Sequence, residues 1–125
     1  LGEACLTLHE QTGAARFREA VERWAGCIAQ RTPANDGAGA YADQYGRCIH
    51  FLCRAAETLN EPRWKEQAQA LAEEAVTHLY SPRAGMFRSH PGEERCDAVD
   101  GIGILFLALI YLETGDAPDG LGFHF

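Results

Sequence analysis

No CxxC pair occurs in this chain, and its five cysteines, Cys5, Cys27, Cys48, Cys53 and Cys96, are odd in number. A closed disulfide framework is therefore not expected, and the ligand spacing of a zinc site is missing. The cysteines read as small buried apolar residues of a reducing compartment, so the expected location is cytoplasmic. Leu1-Gly2-Glu3-Ala4 has neither a charged n-region nor an initiator methionine, so no signal peptide is visible. The chain reads as starting inside an element, as though cut from something longer. Lysine is almost lacking: Lys65 is the single one among 11 bases, a bias from which no function follows. Positive charge is short overall, with 18 acids and a net charge of −7. That argues against nucleic acid or an anionic membrane as partner, since both need a basic stripe. No GxSxG, no glycine-rich phosphate loop and no EF-hand spacing is present. The longest apolar run, Ile102 to Leu112, is too short for a bilayer, which needs about 20 residues.

What is present is helical periodicity. At 125 residues and 46% hydrophobic content the chain is long enough for one domain with one core. Residues 1–11 read as a helix with Leu1, Ala4, Cys5 and Leu8 on its apolar face, ending at Thr12-Gly13. A second helix, 15–30, places Phe17, Ala20, Val21, Trp24 and Ile28 at spacings of three and four, with Trp24 expected in the core. Residues 32–39 are a loop by composition. A third helix, 42–58, shows Tyr45, Cys48, Ile49, Leu52, Cys53 and Ala56 on one face. Asn60 and Pro62 read as the N-cap and first turn of a fourth helix ending near Leu79, with Trp64, Ala68, Leu71, Ala72, Ala75, Val76 and Leu79 as its stripe. No strand is expected. The last helix is the one the others are expected to wrap: Asp97 as N-cap, Asp100 one turn on, and a body apolar all round, which implies burial on every side. Gly115 suits its C-terminus.

The helix turns echo one another. Thr12-Gly13-Ala14-Ala15-Arg16-Phe17 is matched by Leu59-Asn60-Glu61-Pro62-Arg63-Trp64 at an offset of 47 (residue 17 to residue 64), and Gly115 follows Asn60 by 55. Each turn joins a more apolar helix to an amphipathic one, the pattern of stacked helical hairpins.

The helix ends Leu8-His9-Glu10-Gln11-Thr12-Gly13 and Tyr111-Leu112-Glu113-Thr114-Gly115, with Arg16-Phe17, Arg63-Trp64 and the connector Leu79-Tyr80-Ser81-Pro82-Arg83-Ala84-Gly85-Met86-Phe87, resemble the (α/α)-toroid, or six-hairpin, carbohydrate-active enzymes. The resemblance covers nearly the whole chain and is shared by glycoside hydrolases, unsaturated-uronide hydrolases, polysaccharide lyases, sugar epimerases and lanthionine-cyclase-like proteins. It implies an all-α fold of antiparallel helical hairpin repeats: one domain over residues 1–125, about two and a half hairpins of a toroid arc. A closed ring of that kind takes about 300 residues at ~50 per repeat. Missing hairpins or self-association would then complete it, and the chain would be a C-terminal portion.

By the same resemblance, the connectors ahead of the third and fifth helices would line a sugar pocket. Asp43 and Asp100 are the acid/base candidates, with His90 as a further catalytic candidate. Tyr41, Tyr45, Arg47, Arg88, Arg95 and Asp97 are the substrate-binding candidates. Aromatic rings stack on pyranose faces, and arginines and carboxylates take hydroxyls or uronates in pairs. Two neighbouring carboxyls can split their acidities into acid and base, and their separation sets the stereochemistry of hydrolysis. Each residue also has a structural reading: caps and dipole partners for the three aspartates, salt bridges to Glu93, Glu94 or Asp97 for the arginines, a turn for His90. His9, His78 and His124 have no partners at metal-ligand spacing, and neither metal nor cofactor is expected. The expected function is a portion of a hydrolase or lyase acting on an oligosaccharide; the other reading is a non-catalytic helical module that binds a protein.

Overall fold

The computed structural model describes residues 1–30, 39–96 and 101–118. The described residues are mostly helical, with one short hairpin among them: α1 (Gly2–Thr12), α2 (Ala15–Gln30), α3 (Ala42–Leu59), α4 (Arg63–Leu79), β1 (Tyr80–Ser81), β2 (Met86–Phe87) and α5 (Ile102–Thr114). The hairpin corrects the expectation of no strand. Tyr80 pairs with Phe87 and Ser81 with Met86. Gly85, at φ 64°, closes its turn by donating to the Ser81 carbonyl at 2.8 Å.

The helix ends follow local chemistry. Gly13 and Gly115 cap α1 and α5 in the left-handed conformation. Asn60 adopts the same conformation (φ 53°) as the C-cap of α3, which corrects its reading as the N-cap of α4. An Asn side chain tolerates that region well enough to stop one helix before Pro62 starts the next. The fifth helix begins at Ile102 with Gly101 as its N-cap, four residues later than an Asp97 N-cap implies. Asp97 and Asp100 lie outside the described residues.

Helix directions can be read from side-chain pairs. Gly2 sits beside Trp24, and Tyr45 bonds to Glu74, so α2 reverses α1 and α4 reverses α3. Glu3 meets His50 and Glu10 meets Thr58, so α1 and α3 run parallel. Gly101 meets Asp43 and Tyr111 meets Glu57, so α3 and α5 are parallel too. The result is a row α1–α3–α5 with α2 and α4 packed antiparallel beside it. The middle helix is α3, which touches all four others.

That arrangement overturns the expectation that α5 is buried on every side. Leu105, Ala108, Tyr111 and Leu112 are buried, but Phe106 and Ile110 are 52% and 49% exposed. On that side Phe106 meets only the edge of the Phe87 ring, centroids 5.9 Å apart, among the described residues. Three further expectations fail as well. Trp24 is 43% exposed where α2 passes the start of α1. In α1 it is Leu6 and Gly2 that go inside, while Leu1, Ala4 and Leu8 face solvent. Val76, counted in the stripe of α4, is also exposed.

The core itself runs through Leu6, Val21, Ile49, Leu52, Leu71, Leu79 and Leu105. Full burial of each such side chain contributes about 1.5–3 kcal/mol.

Candidate functional site

The parallel row brings the starts of α3 and α5 together. Gly101 (φ 81°) lies directly on the first turn of α3: a Cβ there would stand 2.5 Å from the Asp43 backbone, so only glycine fits. Asp43 occupies that turn, where a carboxylate complements the helix dipole. One turn on, the Arg47 Nε donates to both Asp43 oxygens at 2.9 and 2.8 Å. Both side chains are partly open to solvent.

The segment after the β-hairpin returns to this same end. The Ala42 amide donates to the Ser89 carbonyl at 2.9 Å. That bond sets His90 against Tyr41, ring centroids 4.3 Å apart and tilted by 47°. Tyr41 is exposed, so the ring pair presents an open aromatic surface at this end of the molecule, here called the mouth. Gly39 is held between His78 and Pro91; its Cβ would fall 2.8 Å from the His78 ring. Asp43, Arg47, Tyr41 and His90 are thus brought to one end of the molecule.

Other sequence candidates go elsewhere. Tyr45 is fully buried. Its hydroxyl donates to Glu74 at 2.7 Å and accepts from the Ala40 amide at 3.3 Å. Burial, and then the Glu74 carboxylate, push this phenol well above its ordinary range. Tyr45 therefore holds the approach to α3 from inside. Arg88 lines a small cleft with Ser81, Arg83, Ala84 and Glu94 under the hairpin. Arg95 lies exposed in the following segment. Asp97 and Asp100, outside the described residues, precede Gly101 in sequence. Among the described residues no three His, Cys, Asp or Glu side chains converge as metal ligands.

A second polar cluster joins α1 to α3. The buried His50 Nδ1 stands 3.3 Å from Glu3 Oε1. Arg54 pairs with Glu3 and, at 3.0 Å, with Glu10, which also accepts from Thr58 at 2.9 Å. Burial raises the Glu3 carboxyl, but the His50 hydrogen bond and the Arg54 charge outweigh it and hold the group below its usual value. The His50 ring packs 5.5 Å from Tyr111, whose hydroxyl donates to Glu57 at 2.8 Å. Sequence reasoning missed Glu3, Arg54 and Tyr111 as a set. The available signal was the offset: Glu3 and His50 are 47 residues apart, the spacing at which the turns echo one another.

Between the two clusters lies a hollow of about 370 Å³ walled by Trp24, Ile28 and Phe51, with Arg47 and Cys48 on the α3 side. Arg47 thus borders both the mouth and this hollow. Among the described residues no helix is long and apolar enough to cross a membrane. Comparison with protein-family models, with curated proteins and with solved structures finds no match to this chain.

Proposed function

We propose that the chain is a portion of a carbohydrate-active enzyme, hydrolase- or lyase-like, that engages an oligosaccharide at the joined starts of α3 and α5. One observation carries the reading. A partly exposed carboxylate–guanidinium pair, Asp43 and Arg47, lies at the end of the molecule where the open Tyr41–His90 ring surface also stands. A ring face accepts the C–H side of a pyranose, and the charged pair accepts and donates to its hydroxyls. In this reading Asp43 acts on the substrate together with Asp100, the residue before Gly101, and His90 is the further proton carrier. Arg88, Arg95 and Asp97 bind more distant parts of the substrate, and Tyr45 keeps the mouth in shape.

Calorimetric titration of the whole chain with a panel of neutral and uronate oligosaccharides tests this. Binding should be lost in Tyr41→Ala and in Asp43→Asn, both at solvent-facing positions. Tyr45→Phe should weaken the fold by about 1.5–3 kcal/mol, the value of a hydrogen bond to a charged group, yet still bind. New reducing ends would identify a hydrolase, and an ultraviolet-absorbing unsaturated uronate a lyase. Binding indifferent to both Tyr41 and Asp43, or no binding to any sugar in the panel, removes the proposal.

The exposed Phe106 and Ile110 favour a second reading, a helical module that presents an apolar face to a protein.

A further inference from the structure

The β-hairpin carries hydrogen-bond donors that the mouth does not use. Its turn is built on Ser81, whose carbonyl accepts from the Ala84 amide at 3.2 Å and from the Gly85 amide at 2.8 Å. Across the two strands the Tyr80 and Phe87 rings meet edge to face, centroids 5.4 Å apart. The Arg88 amide then donates to the Leu79 carbonyl at 2.8 Å. These contacts brace the backbone beside a cleft of about 320 Å³ lined by Ser81, Arg83, Ala84, Arg88 and Glu94. A site on a braced element keeps its geometry without a ligand.

The polar groups of this cleft are unbalanced towards donation. A guanidinium offers five N–H donors and no acceptor. Among the described residues neither Arg83 nor Arg88 makes an ion pair or a side-chain hydrogen bond, so both forks are unused. Arg88 is half-buried, where a charge without a partner is costly. Ser81 is only 7% exposed. Its oxygen accepts from the Ala84 amide at 3.4 Å, and its hydroxyl hydrogen has no acceptor among the described residues. Buried polar groups are normally bonded, so the missing partner of all three is an acceptor. Glu94 is the one carboxylate of the lining, and it stands beyond ion-pair distance of both guanidiniums. Two positive charges against one negative leave one positive charge in the cleft, which an anion balances.

We propose that the cleft under the β-hairpin binds an oxyanion group, a sulfate, phosphate or carboxylate, between the Arg83 and Arg88 forks, with the Ser81 hydroxyl as a further donor. Arginine forks match the paired oxygens of such groups. Glu94 limits the charge the cleft accepts. The inference shares Arg88 with the carbohydrate reading and does not rest on it. Its probes are small ions, so sugar binding at Tyr41 and Asp43 can fail while ion binding holds, or the reverse.

Nuclear magnetic resonance titration of the whole chain provides the measurement. The probes are sodium sulfate, sodium phosphate and sodium acetate, with sodium chloride at matched ionic strength to remove screening effects. An oxyanion should shift the Arg83 and Arg88 Nε–H signals saturably, and chloride should not. A response to sulfate and phosphate alone assigns a tetrahedral group; a response to acetate alone assigns a carboxylate. Arg88→Gln should weaken binding about tenfold, as loss of a charged hydrogen bond does. Arg83→Gln, at the more exposed position, should weaken it about threefold. Glu94→Gln should tighten it, because the variant removes the negative charge of the lining. That side chain makes no bond among the described residues, so this variant separates ion binding from any effect on the fold. Shifts no larger than those of chloride overturn the proposal. So does an affinity that Arg88→Gln leaves unchanged, or one that Glu94→Gln weakens.

Discussion

Gly46 of α3 and Leu105 of α5 meet backbone to side-chain position. A Cβ on residue 46 would stand 2.7 Å from the Leu105 nitrogen and 2.8 Å from the Ile104 carbonyl carbon. Both opposing atoms belong to a helix backbone, which cannot rotate away as a side chain can. The close approach lets Tyr111 reach Glu57 and sets Gly101 against Asp43. Packing, ion pairing and the geometry of the mouth therefore share one contact.

Gly46→Ala should accordingly destabilise the chain although alanine is the better helix former. Overpacking of this kind costs about 1–3 kcal/mol. Gly26 in α2 is the control: among the described residues nothing outside its own helix backbone lies within 4 Å of its Cβ position. There Gly26→Ala should stabilise by about 0.5–1 kcal/mol through helix propensity alone. Urea unfolding of the two variants, compared with the parent, reads both effects, and equal outcomes would refute the close-packing argument.

Acid should loosen the link between α1 and α3. The Glu3 carboxyl is held below the ordinary carboxylate value of 4.5 in the folded chain by its His50 and Arg54 partners. A group with a depressed folded pKa contributes stability above its unfolded pKa and loses it as pH falls through the folded value. Glu3→Gln should therefore be less stable than the parent near neutral pH, by about 1–3 kcal/mol for lost bonds to charged partners. The gap should begin to narrow near the ordinary carboxylate value of 4.5 and close only once pH has fallen below the lower folded value. Denaturant melts from acid to neutral pH measure the gap; a gap constant with pH would show that Glu3 does not titrate against folding.

Thiol labelling should sort the cysteines. Burial, and then the Asp43 charge, push the Cys48 thiol up to about 11. Burial, and then Glu57, push Cys53 up to about 11 as well. Cys27 is exposed on α2. At mildly alkaline pH Cys27 should react first with an aromatic disulfide reagent, and Cys53 should react at the rate of unfolding, because attack needs an accessible thiolate. Mass mapping of the labelled peptides gives the order. Rapid labelling of Cys53 would contradict the packing of α3 against α4.

Helix existence and most helix bounds were legible in the sequence alone. Periodic apolar residues marked α1 to α4, and Gly13, Pro62 and Gly115 punctuated them, because turns and caps depend on backbone chemistry carried by single residues. The Asp43–Arg47 pair was within reach too, since a spacing of four on a helix fixes neighbours.

Coverage was not legible. An apolar stripe reveals which residues avoid water but not whether a neighbour arrives to cover them. Leu8, Trp24, Val76, Phe106 and Ile110 look like core in one dimension and lie at open faces in three. Tyr45 looked like a sugar ligand and is a buried hydrogen-bond post. The Glu3–His50–Arg54 cluster exists because two parallel helices bring residues 47 positions apart into contact. The amino-acid sequence by itself determined where the chain turns and where it is helical, because those are local free energies. The parallel row α1–α3–α5, the meeting of Asp43 with Gly101 and the Glu3–His50–Arg54 cluster were decided by tertiary packing, because each depends on which helix becomes the neighbour of which.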